Sequence, residues 1–229
     1  MATSGTTAFD LDLSEIVEEA FERCGSELRS GYDLRTSRRS LNLLFADWAN
    51  RGVNMWTIAQ GSITLVPGTS TYLLPTDTVD LLEHVIRTGA GNSATQADLT
   101  ITRISVSTYQ TIPNKLQQAR PIQVLVNRLN APSITLWPIP DNSQTYTFVH
   151  RYLRRIQDAG NGSNTMDLPF RFIPAMVAGL AYYLSMKLPN VSQERMVALK
   201  SQYDEAWQLS SDEDREKAAV RFVPRVFYI

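Results

Sequence analysis

The chain has 229 residues, 43% of them hydrophobic and 20% charged, with a formal net charge of −1. That is enough apolar material for a real core in one large domain, or in a compact domain carrying an insertion, and the near-neutral balance excludes a protein that coats nucleic acid through bulk positive charge. A single cysteine, Cys24, and two histidines exclude an intramolecular disulfide and a cysteine-rich zinc site.

No run of about 18 apolar residues marks a membrane span. The opening "MATSGTTAFDLDL" has no basic region followed by an apolar stretch, so no secretory leader is expected. In "LDLSEIVEEAFERCG", Leu13, Ile16, Val17, Ala20, Phe21 and Cys24 recur at helical spacing, which predicts an amphipathic helix. Asp12 and Glu15 stand at capping-box spacing, and Gly25 is a natural stop. A second helix is predicted in "YDLRTSRRSLNLLFADWANRG", with Leu34, Leu41, Leu44, Phe45 and Trp48 as its buried stripe. Arg35, Arg38, Arg39 and Asn42 share another face. That face suits a phosphate backbone or an acidic neighbour, or it is simply a solvated face with scattered ion pairs.

From Met55 to about Arg155 the texture changes to Thr, Val, Ile and Tyr with repeated Pro, Gly and Asn breaks. "NMWTIAQGSITLV", "STYLLP", "DLLEHVIRT", "PIQVLVNRL", "SITLWPIP" and "YTFVHRYLRR" read as short strands, and "NAPS" and "PDNSQ" as the hairpin connections of the last three. The loop Thr88–Asp98 reads as the most flexible connection. In "STYLLPTDTVDLLE", Pro75 forces Leu74 to be extended and ends the strand, and Asp77 is placed to cap the turn through its side-chain oxygen.

Helical spacing returns in "LPFRFIPAMVAGLAYYLSMKL". There Pro174 suits a first turn, and Ala175, Ala178, Gly179 and Ala181 let another helix approach closely. Ser192 caps a long last helix lined by Met196, Leu199, Tyr203, Ala206 and Trp207. Its charged end, "SSDEDREKAA", is expected to be exposed. "VRFVPRVFYI" follows, too hydrophobic to stay in water, and is expected to fold back or to extend as an arm onto another subunit.

The fold class expected is α+β: a bundle of about four helices from both chain ends, an inserted antiparallel β domain, and an extended C-terminal arm. The expected boundaries are residues 1–54 with 157–217 for the helices, 55–156 for the β domain and 218–229 for the arm. Helices from both ends must pack on one another, because no single amphipathic helix is stable alone.

Catalytic material is sparse. His84 and His150 both sit in strand candidates. No nucleophile-elbow, P-loop or dinucleotide fingerprint occurs. A carboxylate pair such as Asp77 with Asp80 or Glu83 has the residue types for glycoside hydrolysis, but no spacing that demands it. No enzyme, cofactor or metal is expected.

Five stretches, in this order, resemble the head-to-tail adaptors of short-tailed bacteriophages, the tail tubular protein A type. They are "LLFADWANRGVNMW", "YLLPTDTVDLLEHV", "SVSTYQTIPNKLQQARPIQVLVNR", "SITLWPIPDNSQTYTFVHRYLRRIQD" and "DLPFRFIPAMVAGLAYYLSMK". The resemblance covers roughly Ser14 to Trp207 and leaves both ends unmatched. It implies a non-enzymatic virion component of the tail or neck, made in the host cytoplasm. Such proteins form a homo-oligomeric ring of twelve copies that docks on the portal protein, continues the DNA channel and supports the tail nozzle and the tail fibre or spike proteins. Genomic double-stranded DNA passes through without sequence-specific binding, and no membrane is involved. On this reading Arg221, Phe222, Arg225, Phe227, Tyr228 and Ile229 bind the portal or a neighbouring subunit, and Arg35, Arg38 and Arg39 offer a second subunit contact. The alternatives are another neck or head-closure protein, a tail-associated cell-wall hydrolase, or a small nucleic-acid-binding module.

Overall fold

A computed structural model describes residue 5 and residues 11–29, 31–52, 55–160 and 165–215. The predicted arm therefore lies outside the described residues. The chain is mixed α+β and divides into two compact units, Met1–Met55 with Gln157–Ile229, and Trp56–Ile156.

The first unit holds α1 (Leu13–Cys24), α2 (Gly31–Asn50), α4 (Ile173–Ser185) and α5 (Gln193–Glu213). Helix α1 begins as its sequence predicts. The Asp12 carboxylate accepts the Glu15 N–H at 2.9 Å, and the Glu15 carboxylate accepts the Asp12 N–H at 3.0 Å. Gly25 then turns the chain at φ 77°, a left-handed conformation that glycine adopts without strain. The Arg195 side chain occupies the space a Cβ would need there, and its Nε donates to the Arg23 carbonyl at 2.9 Å. A cation thus meets the carbonyl end of α1.

Helix α4 is the apolar centre of this unit, buried along most of its length. A Cβ on Gly179 would stand 2.9 Å from both Leu44 of α2 and Tyr203 of α5, so this position admits no side chain without displacing two helices. Cys24 of α1 donates its S–H to the Ala181 carbonyl. At the heart of the unit Trp48, fully buried, donates Nε1–H to the Tyr203 hydroxyl at 2.9 Å. Its ring packs at 4.8–5.9 Å from Trp207, Phe172 and Phe45. Ser192 caps α5 by accepting the Arg195 N–H.

The end of α5 departs from expectation. Asp214, inside the charged stretch predicted to be exposed, is only 9% exposed. Its carboxylate takes the Arg171 guanidinium and also accepts the Met55 N–H at 2.8 Å. A buried carboxylate needs such partners to offset its lost hydration, and both come from segments distant in sequence.

The second unit contains two four-stranded sheets. One is ordered β1 (Ile58–Thr64), β8 (Tyr146–Arg154), β3 (Thr78–Thr88) and β4 (Ala97–Thr100). The other is ordered β2 (Thr71–Leu73), β7 (Ser133–Trp137), β6 (Gln123–Asn127) and β5 (Thr102–Ile104). Leu65, Leu81, Ile86, Val124, Ile134, Leu136 and Phe148, drawn from both sheets and their connections, form one core.

Three expectations need correcting here. The β domain is not wholly antiparallel: β5 pairs with β6 in parallel, because the intervening excursion, with the short helix α3 (Val106–Gln110), returns the chain to the same end. The "PDNSQ" segment is not a hairpin, since β7 and β8 lie in different sheets, whereas "NAPS" does join paired strands. Met55–Thr57 is a 3-10 turn rather than strand, and β1 begins at Ile58.

Candidate interaction surfaces

The features that suggested catalysis resolve into structural roles. The corner after β2 is closed by main chain, with Thr78 N–H donating to the Pro75 carbonyl at 3.0 Å. Asp77 contributes its carbonyl, which accepts the Arg155 N–H at 2.8 Å. Asp80 is paired with Arg103 of β5 at 2.9 Å and with Arg128, just after β6, at 3.5 Å, which ties both to the start of β3. Glu83 is exposed. Nothing aligns these carboxylates on a common cleft.

His84 and His150 are directly opposite one another across β3 and β8. Each stacks on Phe148, at ring separations of 6.0 and 5.1 Å. Gly61 makes room for His150, because a Cβ there would meet its ring at 2.7 Å. Burial pushes both imidazoles below the ordinary histidine pKa. Arg103 adds to the shift at His84. At His150 the Phe148 main chain opposes it and His84 adds to it.

As pH falls below about 6.5, the unfolded chain takes up protons that the folded sheet refuses, so stability is lost on acidification. The β unit is expected to melt at a lower temperature at pH 5 than at pH 7, with His150→Leu flattening that dependence. An equal pH slope in wild type and variant, read from melting curves at both pH values, would contradict this.

Cys24 is equally unsuited to chemistry. Burial pushes its thiol up to about 11, far from the thiolate a nucleophile needs. Among the described residues no group of three or more His, Cys, Asp or Glu side chains is placed to hold a metal ion, and no helix is long and apolar enough to cross a membrane.

The basic face of α2 is split. Arg38 donates to the Gly160 carbonyl at 3.0 Å, and Asn42 accepts the Ala159 N–H at 2.9 Å, so these two hold a segment of their own unit. Arg35 is exposed. Arg39 is exposed beside a groove of about 690 Å3 lined also by Tyr32, Leu43 and Leu188. Tyr32 and Leu43 are 63% and 58% exposed. Arg221, Phe222, Arg225, Phe227, Tyr228 and Ile229 all lie outside the described residues.

The match that decides the family covers nearly the whole chain: residues 11–225 fit the model of the SU10 adaptor protein family. The chain belongs to the SU10 adaptor protein family. This is a family of phage head-to-tail adaptors, so the resemblance drawn from the five sequence stretches holds. No curated protein matches the chain. Membership gives this adaptor a structural role at the junction of phage head and tail, and a place in the neck of the virion. The matched span takes in the whole of the β unit, Trp56–Ile156, and most of the helical one. No local motif in either unit would have revealed the role; it was legible only in the order of several long stretches.

Proposed function

We propose that this adaptor forms a ring, of twelve copies, that docks on the portal of the filled head, continues the DNA channel and supports the tail nozzle and fibres. The observation that carries the reading is the family match over residues 11–225. The proposed division of labour gives residues 1–54 with 157–217 to a helical bundle, 55–156 to a β domain and 218–229 to a docking arm. DNA slides through without sequence-specific contact, and the channel avoids tight phosphate contacts, which would add salt-dependent affinity along it.

Docking is assigned to the arm. Phe222, Phe227, Tyr228 and Ile229 are four large apolar side chains within eight residues, with Arg221 just before them and Arg225 among them. Burying two or three such aromatics yields several kcal/mol per copy by area arithmetic, repeated around a ring. The cations meet acidic rims on the partner. Interface energy that is available only on the portal ties ring formation to that template. Deleting the chain from Val220 onward is expected to abolish portal attachment while leaving circular dichroism and melting unchanged. Retained attachment in a co-sedimentation assay would refute the assignment.

Arg35 and Arg39, with Arg38 beside them, form the proposed second subunit contact. Charge reversal at Arg35 and Arg39 is expected to lower ring yield on the portal without unfolding the helix, because both are exposed; unchanged yield would remove this face from the interface. The function as a whole is tested by complementation. Heads made without this chain should package DNA, fail to acquire tails, and recover tail attachment when the purified protein is added. Tail attachment in its absence would contradict the proposal.

A further inference from the structure

The sheet β1–β8–β3–β4 ends in β4, a short edge of four residues that carries one charge, and in β1, which differs from an ordinary sheet edge. Natural edges are blunted by charge, proline, bulges or short length, because an unpaired row of N–H and C=O groups invites another chain. β1 has none of these devices. Its seven residues, "IAQGSIT", contain no charge and no proline. All seven pair with β8 in unbroken register. Among the described residues β1 pairs with no strand but β8, and β4 with none but β3.

The side chains of β1 sort cleanly. Ala59 and Ile63 pack against the core, while Gln60, Ser62 and Thr64 are exposed. On β4, Asp98 already holds Arg87 through two bonds of 2.7 Å, so that edge presents no unpaired charge on its outer face.

Direction supplies the second argument. All three pairings in this sheet are antiparallel, and the strand count is even, so β1 and β4 run in opposite directions. Repeating the sheet head to tail, with every copy in the same orientation, therefore sets β4 of one copy antiparallel to β1 of the next. That is the more stable ladder, and it is the heterologous type of contact from which rings close.

We propose that neighbouring copies in the ring join edge to edge, β4 of one adding to β1 of the next, so that their sheets continue as a single antiparallel sheet. This rests on the ring reading given above and names the surface that closes it.

Cysteine pairs test it. Within one chain β1 and β4 are separated by two strands, about 14 Å at ordinary strand spacing, twice the roughly 7 Å span a disulfide can bridge. A bond between them can only join two copies. Thr100→Cys on β4 is combined in turn with Gln60→Cys, Ser62→Cys or Thr64→Cys on β1, which scans the register of pairing. Cys24 can stay, since it is buried. Each variant is assembled on its portal, oxidised and run on a non-reducing gel, with ring formation followed by electron microscopy. At least one pair is expected to give a ladder of covalent multimers that disappears on reduction. Rings that form normally while all three pairs stay monomeric on the gel would overturn the edge contact and leave the ring reading standing. Failure of the unsubstituted protein to form rings at all would overturn both.

Discussion

Replacing Trp48 by alanine is expected to cost the helical unit about 3–5 kcal/mol, the range for truncating a large aromatic in a packed core. Trp48 is fully buried and touches every side of its surroundings. Phe45 lies on its own helix, Phe172 precedes α4, and Trp207 and Tyr203 belong to α5. Removing the indole opens a cavity that three separate segments would have to collapse to fill. It also leaves the Tyr203 hydroxyl without its donor. That hydroxyl is already held neutral by burial, its pKa pushed up to about 12, so ionisation offers no relief. Urea unfolding followed by circular dichroism at 222 nm should show the midpoint of the helical transition falling. A change below about 1 kcal/mol, the size of an ordinary point substitution, would mean that this cluster does not hold the unit together.

Asp214→Ala is expected to be clearly destabilising as well. Stranding a fully buried charge costs about 3–5 kcal/mol, and the loss here falls below that range because the Arg171 side chain is 32% exposed and solvent screens the charge left behind. Here the stranded groups would be the Arg171 guanidinium and the Met55 N–H. Replacing both members, Asp214→Leu with Arg171→Met, should recover much of the loss, since an apolar pair of similar volume removes the uncompensated charge. The same unfolding measurement separates the cases. Equal destabilisation in the single and double variants would show that the Met55 contact, not the ion pair, carries the effect. The position matters because Asp214 is the last buried one among the described residues and precedes the proposed docking arm in sequence.

Local sequence rules held where the interactions are local. Asp12 with Glu15, Gly25 and Ser192 mark helix ends through bonds three to five residues long, and each forms as the residue types require. The small residues of α4 were equally legible, because a glycine flanked by alanines at helical spacing has few uses other than close packing. Apart from the local 3-10 turn at Met55–Thr57, the misreadings are long-range. Asp214 looks like one acid in a solvated run until Arg171 and Met55 are brought to it from elsewhere in the chain. The segment between β7 and β8 has the composition of a hairpin turn, yet it carries the chain from one sheet to the other, a choice made by the shared core. β5 and β6 pair in parallel because of where the chain returns, which no residue in either strand announces.

The candidate site was legible in a different way. Arg35, Arg38 and Arg39 stand on one helix at matching spacing, and sequence alone could not tell that Arg38 and Asn42 are committed to residues 159–160 of their own unit. The exposed edge of β1 was missed altogether. Its sign in the sequence is only an absence, seven strand residues without a charge, and it acquires meaning once the strand is known to lie at the margin of a sheet.

The central claim is that copies of this chain assemble on a portal and serve as structure. The most direct measurement is electron microscopy of the purified protein mixed with the portal of the same phage. The account predicts a ring stacked coaxially on the portal with matching rotational symmetry. Portals that remain bare at saturating protein concentration would contradict it.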